Sequence, residues 1–396
     1  MFSTSSKFSV RRHLEARNGN VRVVIEEMRR LLNKKDDDPK QIKCEDFSIL
    51  EIWDACKNST LEAVDVTQFP LLTATLLEKK VLEGYTAAAK IGDQLVTPFP
   101  SSLQVSKIPG AFVKGTLHDI EPGMPYEHDA DINDKFVQIE GKKRGAILDI
   151  TWEAVKFDQT GLIMLRAVQF GERAAIDRER RIIYTILDIT IGNINYWAWY
   201  PSVLGTATRT AIWSAAVAAG PHLQSNLIPN ALQDWTDLDA ANTMLGLMQD
   251  DNGDPILNDP KILLVPVSLD TIARRLITNT VIPANWNSRT TGTAGEANPF
   301  AGRYNVLSSA ILDSQSVRSW WLGDFKKQFL EKVVIPLQIL TRPMANTDDE
   351  FERDIVAQYK VRHYTQVGAA DYRHVVKSQG TYGVCPTNSY CSTWAE

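Results

Sequence analysis

A long segment in the middle of the chain shows the clearest helical pattern. Over residues 158–188, apolar or small residues recur every three or four positions, which predicts one face of an amphipathic helix. The stripe is Met164, Val168, Gly171, Ala175, Ile182 and Ile186, with Arg178 as its charged member. The opposite side is Gln169, Glu172, Arg173, Asp177, Arg180 and Arg181. A helix of about 27 residues would be roughly 40 Å long, so we expect it to form the spine of a domain.

Shorter helical patterns precede this segment. Three helices are predicted: one from about Val21, one around residues 47–57 and one over residues 71–90. The apolar face of the first is Val24, Met28, Leu31 and Leu32. These helices share little obvious core with one another. We therefore interpret the N-terminal region as an arm rather than a domain.

The helical pattern ends before residues 94–150, and a different sequence pattern begins there. This stretch is rich in proline and glycine, and its short alternating runs include Phe136, Gln138 and Glu140 and then Ala146, Leu148 and Ile150. Alternation with frequent turn residues predicts extended chain, here a long β-excursion with polar residues on both faces. A strand pair of that kind cannot bury itself. We expect it to need a partner surface.

The region after the long helix alternates between helices and strands. A short helix is predicted over residues 238–248, and the apolar run at residues 262–270 predicts a strand buried on both faces. Asp270 is the predicted N-cap of the helix that follows it. A polar loop is predicted over residues 285–302, and a strand over residues 304–312.

The C-terminal part consists mainly of predicted strands, at residues 320–327, 333–340 and 351–378. The last of these has a two-faced pattern. Ile355, Ala357, Tyr359 and Val361 fall on one face. Gln358, Lys360 and Arg362 fall on the other, and a turn is predicted at residues 368–371. Its concentration of charge is thus the polar side of a half-buried strand, and His363 continues the apolar face, so we expect neither His363 nor His374 to be catalytic.

Composition and charge narrow the function classes. The chain has 396 residues, 44% hydrophobic and 23% charged, which is typical of a globular protein with a large core. Its net charge of -5 lacks the basic excess of proteins that bind a nucleic-acid backbone tightly. No apolar run is long enough to cross a bilayer, and the N-terminus lacks the apolar segment of a secretory signal. We expect a protein made in the cytosol and not inserted in a membrane.

Four cysteines, Cys44, Cys56, Cys385 and Cys391, are too few for a disulfide framework in a chain of this length. Cys385 and Cys391 lie close together near the C-terminus. Two free thiols and one disulfide are both compatible with this spacing. A zinc site would need a second pair of ligands.

Two other groups of residues resemble metal sites. His118-Asp119 and His128-Asp129 could supply ligands for a metal-dependent hydrolase, but a polar loop lacks the supporting contacts that a metal site needs. Around Asp250, the acids match the start of a calcium loop, yet Pro255 and Lys261 stand where such a loop needs glycine and glutamate. We interpret the first group as a solvated loop and the second as a two-residue hairpin turn at Asn252-Gly253.

No nucleophile elbow, phosphate-binding loop, dinucleotide fingerprint or metalloprotease helix is present in the sequence. We therefore predict no catalytic, cofactor-binding or metal-binding residues and no cofactor, and we expect the chain not to be an enzyme.

Three stretches, taken in their order along the chain, resemble a known family. They are DKFVQIEGKKRGAILDITWEAVKFDQTG, DDNGDPILNDPKILLVPVSLDTIARRLI, and WWLGDFKKQF with VIPLQIL and the strand of residues 351–378. Together they resemble the major capsid (head) protein of tailed bacteriophages, of the Hong Kong phage-type fold. The resemblance covers roughly residues 75–380. The segments before and after it have no counterpart in the family that we can place.

The resemblance implies an α+β phage major capsid fold. The implied parts are an N-terminal helical arm (1–93), an extension loop (94–150), a peripheral domain with the spine helix (151–200), an axial domain (201–312), and closing strands with a C-terminal tail (313–396). Copies would form pentamers and hexamers of an icosahedral shell around double-stranded DNA, which would be bound without sequence specificity. Portal, scaffolding or decoration proteins are implied as possible partners, and the virion as the location, with assembly in the host cytoplasm.

Two alternatives stay open beside the phage shell. An encapsulin-like bacterial compartment would share the fold, although the long polar loop suits a phage shell better. The metal-dependent enzyme at His118 and His128 is the second. We also expect no proteolytic removal of an N-terminal segment during maturation.

Overall fold

The computed structural model describes residues 21–32, 52–53, 69–88, 90–109, 122, 136–157, 162–203, 206–215, 222–250, 253–281, 297–343 and 353–380. The helices are α1 (Val21–Leu32), α2 (Phe69–Ala87), α3 (Gly92–Leu95), α4 (Trp152–Lys156), α5 (Leu162–Leu187), α6 (Trp235–Gly246), α7 (Val267–Thr278), α8 (Ala310–Asp313) and α9 (Phe325–Gln328). The strands are β1 (Thr97–Pro100), β2 (Val105–Pro109), β3 (Phe136–Glu140), β4 (Lys142–Thr151), β5 (Thr190–Ile191), β6 (Ile194–Asn195), β7 (Ser202–Val203), β8 (Thr206–Ala207), β9 (Leu227–Ile228), β10 (Ile262–Pro266), β11 (Asn305–Ser309), β12 (Trp320–Gly323), β13 (Phe329–Pro343), β14 (Ile355–Ala369) and β15 (Val375–Ser378).

The chain divides into two compact units, and each is built from three separate stretches of sequence. The first unit comprises Met1–Lys90, Lys142–Arg178 and Ile335–Thr365. The second unit comprises Ile91–Gly141, Glu179–Val334 and Gln366–Glu396. Helix α5 and strands β13 and β14 each contribute residues to both units.

A sheet forms one wall of the core of the first unit. β4 pairs antiparallel with β14, and β13 follows β14 in the sheet order. The inward face of β14 carries Ala357, Tyr359 and Val361, which are buried as predicted. The Tyr359 hydroxyl lies 2.5 Å from Thr73 Oγ1 of α2, and burial raises the pKa of this tyrosine above its usual range.

Helices cover that face of the sheet. A Cβ on Gly84 of α2 would lie 2.1 Å from the Val168 carbonyl oxygen of α5, and a Cβ on Gly171 would lie 2.0 Å from the Val81 carbonyl oxygen. The two helices therefore approach so closely that only glycine fits at these two positions. Helix α1 adds Val24 and Met28 to the same core, which confirms this part of its predicted face. The expectation that the N-terminal helices share little core was wrong, because α1 and α2 contribute to the same core.

The second unit has a five-stranded mixed sheet in the order β11-β10-β12-β15-β9. β10 runs parallel to β11 and antiparallel to β12. Alternate residues of β10 enter two different cores: Ile262 and Leu264 pack in one, and Leu263 and Val265 in the other. A strand covered on both faces needs apolar residues at every position, which confirms the prediction from the apolar run.

Residues of α5 anchor the second unit through buried acids. Glu179 accepts hydrogen bonds from the backbone N–H groups of Ile91 (3.1 Å) and Gly92 (3.0 Å), which lie at the start of α3. Just beyond the helix, Asp188 accepts from the backbone N–H groups of Ala198 (2.9 Å) and Ile212 (3.2 Å). These carboxylates satisfy backbone donors that would otherwise be buried without partners.

Two expectations about helices were wrong. Arg181, expected on the polar side of α5, is buried, because the part of α5 in the second unit is buried on most sides, as Glu179, Ile182 and Thr185 also show. Asp270 is not an N-cap, because α7 already begins at Val267.

The first N–H groups of α7 are bound from outside the helix. The carboxylate of Asp313 accepts hydrogen bonds from the backbone N–H groups of Val267 (2.6 Å) and Ser268 (3.1 Å). Asp270 instead accepts from Arg274 one turn later (2.9 Å). A cap supplied by a residue far along the chain leaves no local pattern for sequence reasoning to detect.

Several segment ends also differ from the predictions. The strand predicted over residues 304–312 ends at Ser309, whose hydroxyl caps α8. The strand predicted over residues 320–327 ends at Gly323 and gives way to α9. β14 extends into the turn expected at residues 368–371 and ends at Ala369. Most of the predicted polar loop over residues 285–302, and of the helix over residues 47–57, lies outside the described residues.

The excursion is not polar on both faces where it is described. β2 and β3 form an antiparallel pair, and β3 buries Val137 and Ile139. Phe136, Gln138 and Glu140 lie on the less buried face of β3. The residues between them, Val137 and Ile139, form its buried face. The base of the excursion is therefore part of the packed second unit.

The turn near Asp250 is a chain reversal, but it is longer than predicted. Gln249 and Pro255 form an antiparallel bridge, and the backbone N–H of Asp250 donates to the Asp254 carbonyl (2.7 Å). Gly253 has a φ of 93°, which glycine adopts without strain. Three residues thus separate the last paired positions, instead of the two expected from Asn252-Gly253.

Candidate assembly and binding surfaces

A cleft in the first unit gathers charged side chains from three elements. It has a volume of about 450 Å³ and is lined by residues of β4, β14 and α5. The polar and charged lining residues are Lys143, Arg144, Arg173, Asp177 and His363. Phe170 and Val361 supply apolar surface at its base. Three permanent cations therefore converge on a cavity that contains one carboxylate.

Strand register sets the geometry of these groups. Arg144 of β4 and His363 of β14 are direct cross-strand partners. Asp177 of α5 contacts both: its Oδ1 lies 3.4 Å from Arg144 Nη1, and its Oδ2 lies 3.8 Å from His363 Nε2. Asp177 thus ties the sheet to the helix and orients the two side chains.

Lys143 and Arg173 differ from this group because both are solvent-exposed. Next to them, Gly145 has a structural constraint of its own. A Cβ there would lie 2.6 Å from the carbonyl oxygen of Val361 on the neighbouring strand. On the β4 side, the cleft is lined in part by Gly145 and Ala146, which have no side chain or a small one.

β4 also presents a free edge, since it is the terminal strand of its sheet within the described part of the chain. Most of its side chains are exposed, and Ile147 is 55% exposed. A ten-residue strand with an unpaired edge is a template for pairing with another chain.

In the second unit, a buried lysine fixes the base of the excursion. Lys332 of β13 is fully buried, and its Nζ donates to the carbonyl oxygens of Gln104 (2.9 Å) and Ile139 (3.3 Å). Burial lowers the pKa of Lys332, and the nearby Glu140 opposes this shift. In addition, β1 runs parallel to the start of β13. β1 and β3 of the excursion therefore both contact one strand, β13.

An exposed apolar pair flanks the hairpin of the second unit. Leu247 is 71% exposed and Leu257 is 91% exposed, and they lie on opposite sides of the Gln249–Pro255 bridge. Leucines this exposed are typical of surfaces that other molecules cover.

His374 belongs to a buried structural cluster. Its Nδ1 lies 2.7 Å from the Asn258 side-chain oxygen, and Arg373 Nε donates to both carboxylate oxygens of Asp371 at 3.1 Å. Burial lowers the pKa of His374, while Asp371 opposes the shift. These contacts join the β14–β15 turn to the hairpin region.

The structure does not describe the histidines and cysteines that the sequence singled out as candidates for metal chemistry. His118, Asp119, His128 and Asp129 lie outside the described residues, as do Cys44, Cys56, Cys385 and Cys391. Within the described part of the chain, no group of three or more His, Cys, Asp or Glu side chains is placed to hold a metal ion. The described helices also include none that is long and apolar enough to cross a membrane.

Sequence reasoning missed the cleft and the buried lysine. The run Lys142-Lys143-Arg144 was a visible signal of positive charge, but the positions of Arg173 and Asp177 opposite it depend on helix packing. Lys332 had no signal, because a lysine in a strand is usually exposed.

Comparison with known proteins gives the family. Residues 137–378, more than half of the chain, match the family model described as phage capsid protein. The chain belongs to this family. The resemblance found in the sequence is thereby confirmed, and the family indicates a structural role in a capsid shell rather than a catalytic one. No curated protein matches this capsid protein.

Several solved structures resemble it at low identity. A virus-like particle from Pyrococcus furiosus is 8% identical over 76% of this chain and 97% of the other, with a TM-score of 0.43. The capsid of Cyanophage P-SCSP1u is 14% identical over 74% and 88%, with a TM-score of 0.44. Mycobacterium phage Cain is 12% identical over 79% and 98%, with a TM-score of 0.45. The family assignment rests on the sequence match.

Proposed function

We propose that this capsid protein assembles with copies of itself into pentamers and hexamers of an icosahedral phage head that encloses double-stranded DNA. The match of residues 137–378 to the phage capsid family carries this proposal. In the same proposal the chain has no enzymatic activity and uses no cofactor. Its location is the virion, after assembly in the host cytoplasm, and portal, scaffolding or decoration proteins are further partners.

The parts of the subunit have separate roles in this proposal. They are the arm (1–93), the extension loop (94–150), the peripheral domain (151–200), the axial domain (201–312), and the closing strands and tail (313–396). Two surfaces support assembly. The open edge of β4 offers backbone groups for pairing, and the exposed pair Leu247 and Leu257 offers apolar area. Identical copies can satisfy such surfaces by closing a symmetric shell.

Electron microscopy of the purified full-length protein tests the proposal. We expect closed particles tens of nanometres across, an order of magnitude set by packing many subunits of this size in one shell. A protein that stays monomeric or dimeric under all conditions in which it is folded would contradict it. Particles loaded with protein instead of nucleic acid, when isolated from a phage-infected or phage-producing host, would favour the encapsulin-like alternative.

A loop replacement tests the role of the excursion. Pro109 and Phe136 face each other at the end of the β2–β3 pair, so residues 110–135 can be replaced by Asn-Gly, which forms a two-residue hairpin turn. The buried Val137 and the carbonyl partners of Lys332 stay in place. We expect a folded subunit, with the thermal unfolding of the parent, that forms no particles. Particles of normal size would show that the excursion is dispensable.

A further inference from the structure

We propose that the cleft of the first unit binds the phosphodiester backbone of the packaged double-stranded DNA, with Lys143 and Arg173 as the phosphate-contacting residues. This inference rests on the proposed function, because it assigns a site to the nucleic acid that the shell encloses. The observation behind it is the convergence of three permanent cations on one cavity with a single carboxylate.

The distribution of charge favours an anionic ligand. The chain as a whole is acidic, with a net charge of -5. Among the described residues of the first unit, however, basic side chains clearly outnumber acidic ones, whereas the two are nearly balanced in the described part of the second unit. Positive charge is therefore in excess among the described residues of the unit that contains the cleft. A local basic patch on an acidic protein attracts polyanions at that patch, while the rest of the surface does not bind them nonspecifically.

The internal contacts of the cleft leave part of this charge available. Asp177 lies against Arg144 and His363 and so offsets the charge of Arg144. Lys143 and Arg173 are exposed at the rim, from β4 and α5 respectively. Two cations on opposite walls of a cavity of about 450 Å³ can contact the non-bridging oxygens of one phosphate or of two successive ones.

The residues that line the cleft favour a nucleic-acid backbone over a protein partner as its ligand. Apart from Phe170 and Val361, the apolar lining consists of the small residues Gly145, Ala146 and Ala174, so the cleft has few of the large apolar anchors by which protein partners are usually recognised. Lysine and arginine on strand and helix surfaces read charge and not sequence. We therefore expect weak, salt-sensitive binding that lets DNA move past the wall while it is packaged.

The test compares two double variants with the same change in charge. K143Q/R173Q removes the two rim cations and leaves the Arg144–Asp177 pair intact. K156Q/R166Q removes two other exposed cations of the same unit that do not line the cleft. Each full-length protein, at a concentration below that of particle formation, is titrated with a fluorescent 20-base-pair DNA duplex of mixed sequence at several salt concentrations.

We expect the wild type to show a linear fall of log K with log salt, and K143Q/R173Q to bind more weakly, with a slope reduced by about 2, one for each lost phosphate contact. K156Q/R166Q should keep a slope close to that of the wild type. Equal losses in both double variants, or no loss in K143Q/R173Q, would overturn the proposal, because the charge would then act diffusely or not at all.

Particle formation is measured on the same proteins without DNA. We expect all three to form particles. If K143Q/R173Q no longer assembles but binds the duplex like the wild type, the cleft holds an acidic segment of a second copy, and the DNA assignment is wrong. If the wild type itself forms no particles, the proposed shell function fails, and the duplex titration still decides whether the cleft binds phosphate.

Discussion

The two units bury their strands in different ways. In the second unit, β10 and β12 are covered on both faces, and residues such as Leu263 and Leu264 enter two separate cores. In the first unit, β14 buries only one face, and β4 lies at an open edge beside a charged cleft. A sheet covered on both faces leaves little of its own surface for other molecules. A sheet with a free edge beside a polar cavity leaves more.

The largest expected effect sharpens this contrast within the two sheets. Leu264→Ala removes a fully buried side chain from the doubly covered β10, and we expect a loss of about 4 kcal/mol in the free energy of unfolding. Ile147→Ala on the open β4 removes a side chain that is 55% exposed, so the loss should be below about 1 kcal/mol. Urea denaturation followed by circular dichroism measures both. Similar losses for the two variants would refute the difference in burial.

A second prediction concerns the close helix crossing of the first unit. Gly171→Ala places a methyl group against the carbonyl of Val81, and the resulting separation of α2 and α5 should lower stability by about 3 kcal/mol. Gly246→Ala is the matched control, since no atom lies within 4 Å of a Cβ at that helix position in the second unit. It should leave stability unchanged or raise it by about 0.5 kcal/mol.

Thermal and urea unfolding of the two glycine variants give the comparison directly. A Gly171→Ala protein as stable as the parent would mean that the two helices can separate without loss, and the crossing would not define the first unit.

The smallest expected effect is the pH dependence that comes from the second unit. Burial lowers the pKa of His374 below its usual value near 6.5 in the folded protein, while the unfolded chain keeps the usual value. The unfolded state therefore binds more protons below about pH 6.5, so stability is full above that pH and falls as the pH drops through it. Of the charged groups around it, Asp371 and Asp324 oppose the shift, and Lys327 and Arg373 add to it.

Urea unfolding at pH 7.5 and pH 6.0 measures this dependence. In His374→Gln the difference between the two pH values should be smaller than in the parent, although His222, whose pKa burial also lowers, keeps part of it. An unchanged difference would show that His374 does not titrate between the folded and unfolded states in this range.

Local patterns predicted those parts of the fold that depend on local burial. The alternation through Ile355, Ala357, Tyr359 and Val361 correctly identified the buried face of β14, because a strand with one covered face has period two. The apolar run over residues 262–270 correctly indicated a strand covered on both sides, although the strand ends at Pro266 and α7 begins at the next residue. The resemblance to phage capsid proteins, drawn from the order of such segments, is confirmed by the family match.

Features that join distant parts of the sequence were not predictable in this way. Asp313 caps a helix that begins 46 residues earlier, Lys332 binds carbonyls of the excursion, and Arg181 is buried only because of what surrounds the end of α5. The cleft has the same origin, since Arg144 and Asp177 meet only through the packing of strand on helix. Each of these features depends on tertiary contacts that produce no periodic pattern in the sequence.

The order of strands in the second unit has a consequence for synthesis of the protein. β15 lies between β12 and β9, so Val375–Ser378 form an interior strand of the five-stranded sheet. A ribosome that has not yet released this stretch holds a chain whose sheet is split, with β12 and β9 unpaired on the sides that β15 will join. Completion of this unit must therefore wait until Val375–Ser378 have been translated and have left the ribosome. Truncated products would be left with exposed strand edges, which cellular proteases and chaperones recognise, and would be removed before joining a shell.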